Sequence, residues 1–278
     1  MTGVSGGAGV LPEEYRQRFS GIGRLFGEAA LPRLRAAHVC VLGVGGVGSW
    51  VVEALARSGI GALTLVDADD VCVTNTNRQL PALADSVGRP KVAVLVERVR
   101  LISPSCDVTG MPEFYTKSNA AGLLSPGFDF VVDCVDRAAT KADIIHSCRE
   151  RGLRVITCGA AGGRRDASAV RAGDLGFAGN DELLRGARRI LRREYGWPAG
   201  MRGPGVPMGV PCVCSNEKPV FPNADGTCSA KPEAGSSLRM DCAGGIGAAS
   251  FVTGAFGFVL AGTVVRLLLG DDVAKRPE

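Results

Sequence analysis

Three glycines, an acid downstream of them and a string of polar and charged residues beyond it carry the chemistry in this 278-residue sequence. Gly43, Gly45 and Gly48 follow a β-branched run, Val39 to Leu42, and precede the helical apolar spacing of Ser49 to Ser58, which Gly59 stops. In such a strand, turn and helix, the first glycine permits the tight turn, the second lets backbone approach a phosphate, and the third lets helix and strand pack closely. Gly46 lies in the same loop, and the helix N-terminus offers free N–H groups to an anion. A second strand, Leu63 to Val66, ends at Asp67, about 20 residues past the fingerprint, where a carboxylate accepts hydrogen bonds from ribose hydroxyls. Together these positions predict nucleotide binding.

Beyond Asp67 the chain carries more charge than a dinucleotide needs. Asp69 to Gln79 is a polar loop leaving the carboxyl end of a strand, where open α/β sheets bind ligands. Asn75 and Gln79 can hydrogen-bond sugar, phosphate or substrate, and Arg78 offers a rigid fork to phosphate oxygens. Lys91 opens a helix that continues from Val92 to Ile102; the helix dipole disfavours a cation there unless an anion offsets it. Asp136 follows a fourth strand, Asp129 to Asp133, and precedes a helix, Ala138 to Arg151. Such an aspartate can hold Mg²⁺ beside phosphates, and it can equally be a helix N-cap. A triphosphate with a metal accounts for Arg78, Lys91 and Asp136 better than NAD does. Hydride chemistry finds no obvious catalytic histidine, since His38 leads into the first strand and His146 lies mid-helix.

These residues need a sheet to gather them. Cys106 to Met111 and Leu153 to Cys158 read as the third and fifth strands, and Ser168 to Asp174 as strand-like. The expected fold is α/β: a Rossmann-like, doubly wound, mostly parallel sheet with a C-terminal extension. The expected division is a flexible tail over 1–17 and one domain over 18–278, with a nucleotide-binding core over 33–165 and an extension over 166–278. The Gly-rich start lacks the basic and apolar parts of a signal peptide. An apolar content of 46% excludes global disorder, and a formal charge of +4 permits an anionic partner without requiring one. Ten cysteines scattered through strands and helices read as reduced thiols in a cytoplasmic protein. Cys212, Cys214, Cys228 and Cys242 form one C-x-C and two singletons, which misses the paired C-x-x-C of a zinc knuckle.

Gly159 to Arg165 reads as a rim loop that could admit a substrate. Asp181 to Tyr195 reads as a helix carrying Arg185, Arg188, Arg189, Arg192 and Arg193; with Arg164 and Arg165 these form the most basic region, either a solvated face or a contact for an RNA backbone. Trp197 to Ser237 is rich in Gly, Pro, Ser and Cys and suggests a long ordered loop or crossover. No charge falls between Asp241 and Arg266, so 243–265 is either a helix buried beside the sheet, the favoured reading, or a membrane segment. Residues 11 to 37 suggest a short amphipathic helix with Arg18 and Arg24 on a basic face.

The glycine fingerprint, Asp67, Asn75-x-x-Arg78-Gln79, Lys91 and Asp136, in that order, resemble the ThiF/MoeB/E1 superfamily of adenylating enzymes. Cys212-Val213 followed by Glu217, and Met240 to Ala249, resemble its tRNA-modifying branch, from about Arg18 to about Leu269. That resemblance implies ATP-dependent dehydration of threonylcarbamoyladenosine at position 37 of tRNA, through an acyl-adenylate. It implies that Gly43, Gly45, Gly46 and Gly48 carry the nucleotide loop, Asp67 the ribose, Asn75, Gln79, Arg78 and Lys91 the nucleotide and its phosphates, and Asp136 the Mg²⁺. It also implies a homodimer in which Arg24, or Arg18, is donated across the interface, and it leaves room for a sulfur-mobilisation partner. The alternative within the superfamily is adenylation of a ubiquitin-like sulfur carrier, whose enzymes carry two C-x-x-C zinc pairs that are missing here. Thioester-forming relatives raise Cys212 as a loop thiolate that could take the acyl group or sulfur.

Overall fold

The computed structural model describes residues 11–198, 206–233 and 245–271. In chain order the elements are α1 (Glu13–Phe26), α2 (Ala30–Ala36), β1 (His38–Leu42), α3 (Gly48–Arg57), β2 (Ala62–Val66), α4 (Lys91–Ile102), β3 (Asp107–Met111), α5 (Ala120–Leu123), β4 (Phe130–Asp133), α6 (Ala138–Glu150), β5 (Val155–Cys158), β6 (Val170–Asp174), α7 (Glu182–Glu194), β7 (Pro211–Ser215), the short hairpin β8 (Phe221–Pro222) and β9 (Cys228–Ser229), and α8 (Ser250–Leu268).

Successive side chains on a strand face opposite sides, and both sides of this sheet are covered. Val39, Val41, Leu63, Leu65, Val132, Ile156 and Val213 pack under α3, α4 and α8. Cys40, Leu42, Val66, Val131, Val155, Cys212 and Cys214 pack under α6 and α7. Each large aliphatic or aromatic side chain buried this way stabilises the fold by about 1.5–3 kcal/mol. The strand order is β3-β2-β1-β4-β5-β7-β6, parallel throughout except that β6 runs antiparallel to β7. The order reverses between β1 and β4, which opens a crevice at their carboxyl ends. The expected doubly wound, mostly parallel sheet is therefore present.

Three expectations need correction. The tail is shorter than 1–17, because α1 begins at Glu13 and Tyr15 is buried, donating its hydroxyl to Gly59 O at 2.6 Å; residues 1–10 lie outside the described residues. The stretch 197–237 is not only a loop, since it delivers β7 into the main sheet between β5 and β6. Flanking Gly and Pro hid that strand, as did cysteines that suggest chemistry more readily than core. Third, 166–198 and 206–233 do not simply extend a finished core, because β6 and β7 complete the same sheet.

α8 has the length and composition of a membrane span, yet most of it packs inside the protein, with Phe251 and Phe258 left exposed on its outer side. Val252, Phe256, Leu260 and Val264 are fully buried. A Cβ on Gly257 would lie 2.5 Å from Trp50 Cβ, so only glycine lets α8 press this closely on α3. The favoured buried helix is what the fold contains.

Candidate active site

Seven of the elements meet at one cavity of about 730 Å³ above the crevice. Its floor is the turn after β1. Gly43 has φ 83°, a left-handed conformation that other residues resist, and a Cβ on Gly48 would sit 1.9 Å from Gly43 O. The turn therefore closes only with glycine at both positions. Gly43, Gly45 and Gly46 line the cavity, while Gly48 starts α3 just behind it. α3 has no side-chain N-cap; Ser49 N and Trp50 N donate to Gly45 O and Val47 O, both at 3.1 Å, so it is the turn before them that meets an anion.

Asp67 ends β2 with its carboxylate already anchored. Val44 N donates to Oδ2 at 2.8 Å and Asp69 N to Oδ1 at 2.9 Å. Burial holds its pKa above the usual carboxylate value, against the opposing pull of Lys91 and the two N–H donors. Lys91 is nearly buried, lines the cavity and donates to Asp69 Oδ2 at 2.7 Å. Asp69, half exposed, is thus the counter-charge that lets a cation stand in the first turn of α4.

Asn75, Arg78 and Gln79 enter together from the loop after β2. Asn75 Oδ1 accepts from Cys72 N at 3.0 Å, which fixes the turn. The Arg78 carbonyl accepts from Trp50 Nε1 at 3.2 Å and from Thr253 Oγ1 at 3.0 Å, so α3 and α8 jointly position that residue. Its guanidinium donates to Thr74 O at 2.8 Å and Asn77 Oδ1 at 2.9 Å. Gln79 is buried against Gly45, and its Oε1 has no hydrogen-bond partner among the described residues. An orphaned acceptor in a cavity wall is costly unless a ligand donates to it.

Asp136 is exposed on the cavity rim after β4. It does not cap α6: the N-cap position is Arg137 and the cap makes no side-chain hydrogen bond. An exposed carboxylate on the rim of a cavity that also holds Arg78 and Lys91 suits a hydrated Mg²⁺ beside phosphates. An orphan acceptor, two nearby cations and a glycine floor likewise suit a nucleotide triphosphate.

Other sequence candidates lie elsewhere. Cys212 is not a loop thiolate. It stands inside β7, is 1% exposed and does not line the cavity. Its hydrogen bond with Cys214, together with burial, pushes its thiol well above the ordinary value, which disfavours a nucleophile. Arg164 is also misassigned as a surface contact, being 3% exposed. It donates to Ala160 O at 2.9 Å, Asn180 O at 2.9 Å and Asp181 Oδ2 at 3.3 Å, and to Glu217 O, which ties the rim loop to α7. Arg165, Arg185, Arg189 and Arg193 are exposed, whereas Arg188 and Arg192 are half-buried and donate to backbone carbonyls. Arg24 is exposed at the end of α1 and Arg18 pairs with Glu14; neither lines the cavity of its own chain.

Several cavity residues escaped the sequence. Glu113, Phe114 and Tyr115 after β3, Arg137 and Thr140 at α6, and Leu183 on α7 all line it, beside Ile246 to Ala248 of the motif before α8. No periodicity marks them, because each is brought there by a chain return. Glu217, noted only as part of a motif, clamps the rim loop by accepting from Arg165 N at 2.9 Å and Asp166 N at 2.8 Å. Among the described residues no group of three or more His, Cys, Asp and Glu could hold a metal; Cys242 lies outside them.

Residues 20–277 match the ThiF family. The chain is 45% identical over 261 residues to the tRNA threonylcarbamoyladenosine dehydratase of Escherichia coli, covering 94% of this chain and 96% of that one. It is 44% identical over 257 residues to the enzyme of the same name from Haemophilus influenzae, covering 92% and 95%. Among solved structures, the Escherichia coli dehydratase TcdA in complex with ATP superposes with a TM-score of 0.82 at 41% identity, covering 94% of this chain and 97% of that one.

Proposed function

The chain belongs to the ThiF family, and from that premise we propose that it is an ATP-dependent tRNA threonylcarbamoyladenosine dehydratase. The observation that carries this is the convergence of Asp67, Arg78, Gln79, Lys91 and Asp136 over the glycine turn in one cavity. Near-complete coverage of relatives bearing that name, one of them solved with ATP, supports it.

In this mechanism the carboxylate of the threonylcarbamoyl group on adenosine 37 attacks the α-phosphate of ATP. Pyrophosphate leaves and an acyl-adenylate remains. A neighbouring atom of the same modification then attacks the acyl carbon, AMP departs and a ring closes with net loss of water. Nucleophile and electrophile share one group, so proximity replaces a covalent enzyme intermediate. That suits the burial of Cys212.

The roles follow from position. The glycine turn, with Gly43, Gly45, Gly46 and Gly48, and the α3 N-terminus hold phosphates; Asp67 accepts from the ribose; Asn75 and Gln79 orient the nucleotide. Arg78 and Lys91 neutralise charge gathering on the phosphates in the transition state. Lys91 can turn from Asp69 toward phosphate without entering a new environment. Asp136 would hold Mg²⁺, which supplies further charge neutralisation to the phosphates. Arg24, donated by a second copy of the chain in a homodimer, would complete the site.

The tRNA backbone would follow Arg165 and one face of α7. Arg185, Arg189 and Arg193 recur every fourth residue, so they line one side of that helix. Leu183 on the same helix lines the cavity, so the N-terminal end of α7 stands beside the site. In this reading the protein works in the cytoplasm.

The test is mass spectrometry of nucleosides from tRNA carrying threonylcarbamoyladenosine, incubated with ATP, Mg²⁺ and the protein. The modified nucleoside should lose the mass of one water. An unchanged mass, with ATP–pyrophosphate exchange stimulated by a small carrier protein, would move the chain to the sulfur-carrier branch.

A further inference from the structure

Two thiols that this mechanism does not use stand side by side under the glycine turn. In the parallel pair β4 and β5, Asp133 lies opposite Thr157, which sets the next residues, Cys134 just past β4 and Cys158 at the end of β5, side by side. Strand alternation turns both toward α3 and α8: Cys158 is 2% exposed in that core and Cys134 packs on the same cluster. A Cβ on Gly48 would lie 3.3 Å from Cys134 Cβ, and both cysteines line the cavity. Cys158 Sγ donates to Asp133 O at 3.7 Å. The hydrogen bond between the two thiols, with burial, holds Cys134 well above the ordinary thiol range. Such thiols are slow toward alkylation and oxidation, yet a thiophilic metal displaces their protons outright. Two sulfurs without a third ligand among the described residues suit linear, monovalent copper better than zinc, which takes four.

We propose that Cys134 and Cys158 form a two-thiolate site for Cu(I) beneath the nucleotide loop, and that loading it weakens binding of a triphosphate above. Two Cu–S bonds form, two thiol protons leave to solvent, and copper remains Cu(I). A neutral thiol pair thereby becomes a complex with one net negative charge. That charge lies under Gly43 and Gly48, where the turn must receive phosphates, and like charges at close range repel. Cys212 and Cys214, the other adjacent thiols, face the α6 and α7 core away from the cavity, so copper held there would leave the phosphate turn unaffected.

The experiment is an anaerobic titration of the full chain with Cu(I) against a chromophoric chelator, followed by ATP binding. The unaltered protein should hold a tight equivalent that Cys134→Ser and Cys158→Ser each lose, while Cys212→Ser keeps it. Loss of one thiolate should cost at least as much as loss of an outer-shell partner, about 10–100-fold in affinity. Cys158→Val removes the sulfur while keeping an apolar side chain suited to a strand, and replaces Cys158→Ser if serine lowers the melting temperature. Copper should raise the Kd for ATP in the unaltered chain and leave it unmoved in Cys134→Ser. The proposal is overturned if Cys134→Ser and Cys158→Val hold copper as tightly as the unaltered chain, or if the loaded protein binds ATP as well as the metal-free one. Neither readout uses RNA, so the result stands apart from the tRNA assignment.

Discussion

Two acid–lysine pairs in this molecule use the same residue types for opposite ends. Asp133 and Lys141 sit in the core at 0% exposure, bonded at 2.9 Å, with Thr157 Oγ1 accepting from Lys141 at 3.0 Å and donating to Asp133 at 2.7 Å. Every charge there is matched inside the protein. Lys91 is also nearly buried, but its partner Asp69 is half exposed and its ammonium faces the cavity. Three residues past Asp133, Asp136 stands exposed on the rim. A buried charge with all its partners is architecture, whereas one with an open side is available to a ligand.

The sharpest way to break this comparison is Lys141→Met. It leaves the Asp133 carboxylate buried without its cation, and urea denaturation should record a loss of about 3–5 kcal/mol. Lys91→Met should instead fold nearly as well, because Asp69 can turn to solvent. Its defect should be a fall in kcat of about 10²–10³-fold, the usual cost of one transition-state donor, read by nucleoside mass spectrometry over time. Asp136→Asn should stay within about 0.5 kcal/mol of the unaltered stability and lose Mg²⁺-dependent ring closure. Stability loss in this variant comparable to that of Lys141→Met would erase the distinction.

The row on α7 extends the contrast to the surface. Replacing Arg185, Arg189 and Arg193 by Ala should weaken tRNA binding and flatten its salt dependence by about 2 in log–log slope, as three lost single-strand phosphate contacts require. Arg164→Ala, by comparison, should lower stability, since its guanidinium has inward partners only.

The smallest effect concerns pH. The folded pKa of Asp67 is raised, so the folded state binds its proton more readily than the unfolded chain does. As pH falls through that raised value, Asp67 should add stability, while ATP binding should weaken because a protonated carboxyl offers ribose a poorer acceptor. Calorimetric ATP titrations across the acid range, set beside melting curves, should show these opposite slopes. Asp67→Asn should remove both.

Much of this was legible without coordinates. β1, the glycine turn, α3 and β2 follow from local spacing, as do α4, β4, α6 and α7, because their apolar periods are uninterrupted. Asp67, Asn75, Arg78, Gln79, Lys91 and Asp136 were legible as a set, since each sits at the carboxyl end of a strand, in the loop after one or at the start of the helix that follows, and parallel strands bring those ends to one rim. β7 was not legible: five residues between glycines and prolines carry no periodic signal, and their strand character comes from the neighbours they join. Arg164 and Arg165 are adjacent in sequence, yet one is spent on backbone carbonyls and the other faces solvent.

Residue type and spacing by themselves determined that this chain makes a parallel sheet with a phosphate-binding turn and a row of charges along its rim. Tertiary packing alone decided which of those charges remain open to a ligand. A side chain's partners come from segments far away in the chain: Asp69 for Lys91, Glu217 for the loop at Arg165, Thr253 for Arg78. Strand alternation then sends Asp133 inward, while the loop that follows releases Asp136 to the cavity.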